Sequence, residues 1–288
     1  MNRAHRAQVA NQTLQILEEG QYRLPEGQTV KIASEINDCC ESTQLFQPED
    51  LQRLLAQHHR QPPPGGRTEI EVANETTLCG IRRLAAECDG PVAALNFASA
   101  KNPGGGFLGG SQAQEESLAR ASGLYRSLMK AWPFYEHHRG LKSLLYTDAM
   151  ILSPRCPIFR DDSDALLGGP HVAGFITSAA PNAGAIRDKR PEELQQLPAT
   201  FRRRAEYVLA LAAAQGYKYI VLGAWGCGVF RNDPEMVADI FTQLLASPGW
   251  SGRFSKVLFS VLDRSPDLST FRAFERGVQA TWRHPSAL

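Results

Sequence analysis

The stretch Leu95-Asn-Phe-Ala-Ser-Ala-Lys-Asn-Pro-Gly-Gly-Gly-Phe-Leu-Gly-Gly-Ser-Gln-Ala-Gln-Glu-Glu116 decides how the rest of the chain is read. It opens as the end of an apolar strand, residues 92–97, and passes through Pro103. Five glycines then fall within seven residues: Gly104, Gly105, Gly106, Gly109 and Gly110. That density costs backbone entropy and belongs where the main chain takes φ > 0 or approaches a ligand closely. Ser111 leads into a helix whose first turn carries Gln114, Glu115 and Glu116. A loop feeding a helix N-terminus presents unpaired N–H groups and a positive dipole end, which suits a phosphate. Two carboxylates beside such a site oppose an anion, and this conflict is the most informative feature of the sequence.

A second stretch repeats the layout. An apolar strand, residues 219–222, runs into Gly223-Ala-Trp-Gly-Cys-Gly-Val-Phe-Arg-Asn-Asp-Pro234, with Asp233 a good N-cap for the next helix. Ligands of open α/β sheets sit beyond the carboxyl ends of strands. Two such loops on neighbouring strands can grip a diphosphate from both sides. A tight structural turn is the competing reading of the second loop, since turns need glycine anyway.

Length and composition set the bounds. The 288 residues are 43% apolar and 21% charged, ordinary for a globular protein with a real core. A formal net charge of +1 gives no general attraction to nucleic acid, so an anionic ligand needs a local site. Cys39 and Cys40 are adjacent, Cys79, Cys88, Cys156 and Cys227 are scattered, and no paired CxxC suggests zinc. Free thiols in a reducing, cytoplasmic setting are the expectation. No apolar run is long enough to span a membrane. Residues 1–17 carry Arg3 and Arg6 without an acid, a composition shared with transit peptides. An amphipathic helix over 7–17, packed on the domain, is the reading adopted.

Further along, Val30-Lys-Ile-Ala is a short strand candidate and residues 48–58 a helix with Leu51, Leu54 and Leu55 on one side. The run Gln61-Pro-Pro-Pro-Gly-Gly-Arg67 is a loop. Residues 1–66 are taken as an accessory region and 67–288 as the main domain. In the latter, strands are expected at 69–72, 92–97, 149–152, 172–176, 219–222 and 257–262. Helices are expected at 77–88, 115–130, 191–215, 234–245 and 268–280. Their alternation predicts a mixed or parallel sheet covered on both faces.

Plain structural readings stand beside the functional ones. Gly104–Gly109 matches GxGxxG, but a dinucleotide site wants an acid about 20 residues on, at the end of the next strand, where this chain still reads as helix. No GxxxxGK[ST] occurs. Ser111 and Gln114 fit a capping box, and Glu116 can pair with Arg120 at i, i+4. Cys227 reads as a small residue rather than a nucleophile, and the pairs His58-His59 and His137-His138 as surface residues. Trp225 and Phe230 are either core or the walls of a nucleotide pocket.

The triplet Gly104-Gly-Gly, seven residues, then Gln114-Glu-Glu resembles the signature of poly(ADP-ribose) glycohydrolases, specifically the bacterial type. The second glycine loop is also similar to that type, and the resemblance extends from about Thr68 to Gly277. It implies a macrodomain-like mixed sheet flanked by helices, with a mostly helical N-terminal accessory region. It implies exo-acting hydrolysis of ribose–ribose bonds, releasing ADP-ribose, without a cofactor or metal. Glu116 takes the catalytic carboxylate and Glu115 the neighbour that holds ribose hydroxyls. Asn102 or Asn96 orients the terminal ribose. The Gly104, Gly105 and Gly106 backbone and the loop Gly226, Cys227, Gly228, Val229 and Phe230 hold the ligand, with Phe230 against the ribose. The implied partners are poly(ADP-ribose), ADP-ribose and ADP-ribosylated proteins, with no membrane and no sequence-specific nucleic acid. A macrodomain that only binds ADP-ribose or polymer ends is the alternative, and the carboxylate pair favours the enzyme.

Overall fold

The computed structural model describes residues 2–62 and 65–282. Pro63 and Pro64 of the expected loop, and the last six residues of the expected main domain, lie outside them. Asn2 caps the first helix by accepting the His5 amide, and α1 (Arg3–Glu19) ends where Gly20 turns left-handed. Strands β1 (Gln21–Arg23) and β2 (Thr29–Lys31) pair as a small antiparallel sheet. Then follow α2 (Ala33–Glu41), β3 (Gln44–Phe46) and α3 (Pro48–Arg60). The main alternation begins with β4 (Glu69–Ala73), α4 (Thr77–Glu87) and β5 (Val92–Phe97). After the first glycine loop come α5 (Gln114–Ala121), α6 (Leu124–Lys130) and α7 (Trp132–Gly140). Next are β6 (Met150–Arg160), β7 (Leu166–Ser178), α8 (Ala183–Lys189) and α9 (Leu197–Ala214). The chain closes with β8 (Tyr219–Leu222), α10 (Pro234–Ala246), β9 (Lys256–Ser260) and α11 (Ser269–Trp282).

Among the described residues seven strands form one sheet in the order β3-β6-β7-β5-β8-β9-β4. The step from β7 through β5, β8 and β9 to β4 is parallel throughout, while β3, β6 and β7 are antiparallel neighbours. Burial of both faces explains the nearly unbroken apolar strands. Ala93 and Leu95 of β5, Ile220 and Leu222 of β8, and Val257 and Phe259 of β9 pack beneath α3, α9, α10 and α11. Their alternate neighbours Val92, Ala94, Val221 and Leu258 pack beneath α4, α5, α6 and α7. The expected mixed sheet between helices is therefore present. Residues 2–62 supply the edge strand β3, and Leu51 of α3 belongs to the main core.

Several elements differ from the expectation. The helix expected over 115–130 is two, because Ser122 is extended and bridges to Ile158 while the Gly123 amide donates to Pro157. The strands expected at 149–152 and 172–176 are parts of a long hairpin, β6–β7, with register shifts near Ser153 and Ile158. The helix expected over 191–215 opens with a 3-10 stretch, Pro191–Gln196. Nor are the two histidine pairs all surface. His58 is buried, with its ring 3.8 Å from the Trp250 ring, and His138 is fully buried.

Candidate active site

Because five strands run parallel, their carboxyl ends share one edge of the sheet, and both glycine loops lie there on the adjacent strands β5 and β8. Gln114 fixes the start of α5 to the end of β5. Its Oε1 accepts the Phe97 amide at 2.9 Å, and its Nε2 donates to the Leu95 carbonyl at 2.8 Å and to Thr77 Oγ1 at 3.1 Å. With the helix pinned in this way, Glu115 turns inward and is 3% exposed, while Glu116 is half-buried. Glu115 Oε2 accepts the Ser99 amide at 2.7 Å and its Oε1 accepts Asn96 Nδ2 at 3.4 Å. The same Asn96 Nδ2 donates to Thr177 Oγ1 at 3.1 Å, across the β5–β7 register. Glu116 Oε1 accepts the Gly106 amide at 3.0 Å.

Gly105 joins these groups. Its φ is 61°, and a Cβ there would overlap the Glu116 carboxylate and lie 3.2 Å from Glu115 Oε2. Both carboxylates thus converge on one stretch of backbone. The capping reading of the pair does not hold in this geometry. The N-cap of α5 is Ala113, without a side-chain bond, and Arg120 is turned to the Ser111 carbonyl at 2.9 Å and Asp164 at 3.8 Å rather than to Glu116.

The outer side of the first loop is braced by the N-terminal helix. Arg3 Nε donates to the Gly109 carbonyl and Arg6 Nε to the Gly110 carbonyl, each at 2.8 Å. Phe107, inside the loop, is fully buried against Ala10 of α1 and Ala119 of α5.

In the second loop Gly226 has φ 74°, and a Cβ there would meet Ala180 Cβ at 2.6 Å. Asn232, nearly buried, draws that loop to the β7–α8 connection, its Nδ2 donating to the Pro181 carbonyl at 2.8 Å and the Gly226 carbonyl at 3.0 Å. Trp225 is core, fully buried with Nε1 donating to the Ser178 carbonyl at 3.0 Å. Gly228 and Val229 form the exposed tip, Val229 at 82%. Burial pushes the Cys227 thiol up to about 12, so it is no thiolate nucleophile. Phe230 is half-buried, 6.3 Å from the ring of Tyr146. Behind Tyr146 stands His138, a neutral imidazole. Its Nε2 accepts the Thr147 amide, its Nδ1 faces the Phe134 carbonyl at 2.7 Å, and burial lowers it to about 4.

Of the two candidate asparagines, Asn96 lies beside Glu115, whereas Asn102 is exposed with its Oδ1 toward Arg139. Gly104, Gly105 and Gly106 adjoin the carboxylates, and the residues 226–230 lie on the neighbouring strand's loop. Sequence reasoning did not find Ser99, Thr177, Tyr146 or Asn232. A polar residue ending an otherwise apolar strand is the signal that marks Thr177, as it marks Asn96.

Burial dominates the electrostatics of Glu115. It pushes the carboxyl up to about 8, and the charge of Glu116 adds to the rise, while the Ser99 amide and Asn96 oppose it. The unfolded chain releases this proton near 4.5, so between there and about 8 the folded protein holds the extra proton. Stability from this group is fully present below about 4.5 and is lost as pH rises through about 8. Glu115→Gln has no proton to lose. The wild type is therefore expected to lose stability relative to Glu115→Gln across that window, read by urea unfolding at several pH values. A constant difference would mean that Glu115 is ionised throughout.

Comparison with known proteins follows the same lines. A family model described as "Microbial-type PARG, catalytic domain" matches residues 10–161. The chain is similar to the crystal structure of poly(ADP-ribose) glycohydrolase (PARG) from Thermomonospora curvata, with 45% identity and a TM-score of 0.91 over 95% of this chain and 99% of that one. The Thermomonospora curvata enzyme bound to the inhibitor ADP-HPD gives 45% identity and 0.88 over the same shares. The Deinococcus radiodurans enzyme in complex with ADP-ribose gives 48% identity and 0.81, over 90% of this chain and 99% of that one. A comparison with curated proteins gave no match. Sheet order, paired carboxylates on a glycine loop and these likenesses agree: the chain belongs to the microbial-type poly(ADP-ribose) glycohydrolases.

Proposed function

We propose that this enzyme removes ADP-ribose from the ends of poly(ADP-ribose), with Glu116 as general acid and base. The observation that carries the reading is the convergence of Glu115 and Glu116 on the Gly105 backbone, where no side chain fits. Relatives of known structure bind ADP-ribose and ADP-HPD, which supports ADP-ribose as the ligand here. Glycosidic cleavage passes through an oxocarbenium-like state and needs a proton on the departing oxygen. Glu116, half-buried in the free protein, loses water when the ligand covers it, which raises its hold on a proton. It gives that proton to the departing ribose oxygen, then takes one from the water that attacks the anomeric carbon, and returns to its starting state. Glu115, kept protonated by burial, does not repel the diphosphate and offers a hydrogen-bond donor to a ribose hydroxyl. Asn96 acts through Glu115, since it is itself fully buried. The two glycine loops hold the diphosphate, whose charge favours the cation growing on the ribose. Polymer on ADP-ribosylated proteins is the wider substrate, and the six free cysteines suit the reducing cytoplasm.

The test is incubation with poly(ADP-ribose) in EDTA, with products separated by chain length. ADP-ribose is expected as the first and main product, at a rate that magnesium does not raise. Loss of turnover in EDTA with rescue by magnesium, or early release of oligomers from internal bonds, would overturn the metal-independent or exo-acting parts respectively.

A further inference from the structure

Helix α7 lies against the outside of the first glycine loop. Arg139 Nε donates to the Lys101 carbonyl at 2.8 Å and its Nη2 to Asn102 Oδ1 at 3.4 Å, directly upstream of the glycine triplet. The same guanidinium carbon sits 4.6 Å from the centre of the Trp132 ring, and Trp132 is 37% exposed. Lys130 and Lys142 flank the helix and are exposed, and Glu136 is the one acid between them. Against a whole-chain net charge of +1, three cations to one acid is a local positive field around an open indole.

We infer that this face of α7 binds the poly(ADP-ribose) chain beyond the unit being removed. The inference rests on the glycohydrolase reading above. Glu116 protonates the departing oxygen, so the rest of the polymer leaves on the Glu116 side, past Gly105 and Gly106. The rim it meets there is the Lys101–Asn102 segment that Arg139 holds. Each repeating unit brings an adenine ring and two phosphate charges. Proteins grip single-stranded chains of that chemistry with aromatic platforms set among cations. The nine residues of α7 span about 14 Å, room for part of one further unit.

Two variants test the track, Trp132→Ala and the double Lys130→Gln/Lys142→Gln. With long polymer, Trp132→Ala is expected to raise KM about tenfold with kcat little changed. The lysine variant is expected to flatten the slope of log KM against log salt by about 0.7 per cation removed. Affinity for ADP-ribose itself, which does not reach α7, is expected to stay the same by calorimetry. An unchanged polymer KM in both variants overturns the inference, and so does a parallel loss of ADP-ribose affinity, which would place the damage in the pocket. If the wild type released no ADP-ribose, the glycohydrolase reading would fail. Anisotropy of labelled polymer on wild type and variants would then still decide the track. A single-stranded DNA oligonucleotide that displaced polymer at lower concentration than polymer itself would overturn the choice of occupant.

Discussion

Glu116→Gln is expected to lower ADP-ribose release by at least the 10²–10⁴-fold, roughly, that general acid–base groups supply. The amide oxygen of Gln can still accept the Gly106 amide, which Glu116 Oε1 holds at 3.0 Å, so the loop has no reason to move. What disappears is the transferable proton. ADP-ribose affinity should hold or improve, because a charge facing the diphosphate is gone. A purely structural role predicts a different pattern. Glu116 makes no ion pair with Arg120, so its structural share is a first-turn dipole effect and one loop hydrogen bond, about 1 kcal/mol in all. Turnover, calorimetric affinity and melting temperature measured on one preparation separate the two. Near-normal release of ADP-ribose would remove Glu116 from the mechanism.

Gly105→Val has the second large effect, by another route. The φ of 61° is strained for any residue with a Cβ and worse for a β-branched one. The added atoms also occupy the place of the Glu116 carboxylate. ADP-ribose affinity is expected to fall more than about tenfold, and turnover further, because binding surface and acid are displaced together. Gly228→Val is the instructive comparison. Nothing lies within 4 Å of a Cβ built at Gly228, so the free protein has space for it. Stability should be unchanged there, and an affinity loss would report the ligand's own approach to the backbone. Calorimetry on both, with circular dichroism to show folded protein, checks this. Unaltered affinity in both variants would count against a two-loop clamp.

Strands β5 and β8 could be read to the residue because each is a short, continuous apolar run between glycine-rich stretches, and burial on both faces leaves no other pattern possible. The hairpin β6–β7 was read short, since Pro154, Pro157, Gly168 and Gly169 look like breakers. Those residues are tolerated at register shifts and at the exposed end. Helix α2 escaped because only Ile36, Cys39 and Cys40 of its nine residues are buried, too few for a visible period. The break after α5 is decided by Ile158 and Pro157, more than 30 residues away, and no local propensity encodes it. The site divides the same way. Glu115, Glu116 and the glycines sit in one contiguous signature, whereas Thr177 reaches Asn96 only through the β5–β7 pairing.

The grip of Arg3 and Arg6 on Gly109 and Gly110 bears on how shortened relatives should be judged. A fragment beginning near residue 67 would retain the whole signature and both glycine loops. By sequence it would look like an intact catalyst. It would nevertheless lack the two guanidinium fasteners and the Ala10 contact under Phe107, on a segment already made supple by its glycines. Such a loop would sample many shapes, and each binding event would have to select the rare one in which the Gly106 amide meets Glu116. For this enzyme the unit of inheritance that preserves catalysis is longer than the motif by which it is recognised.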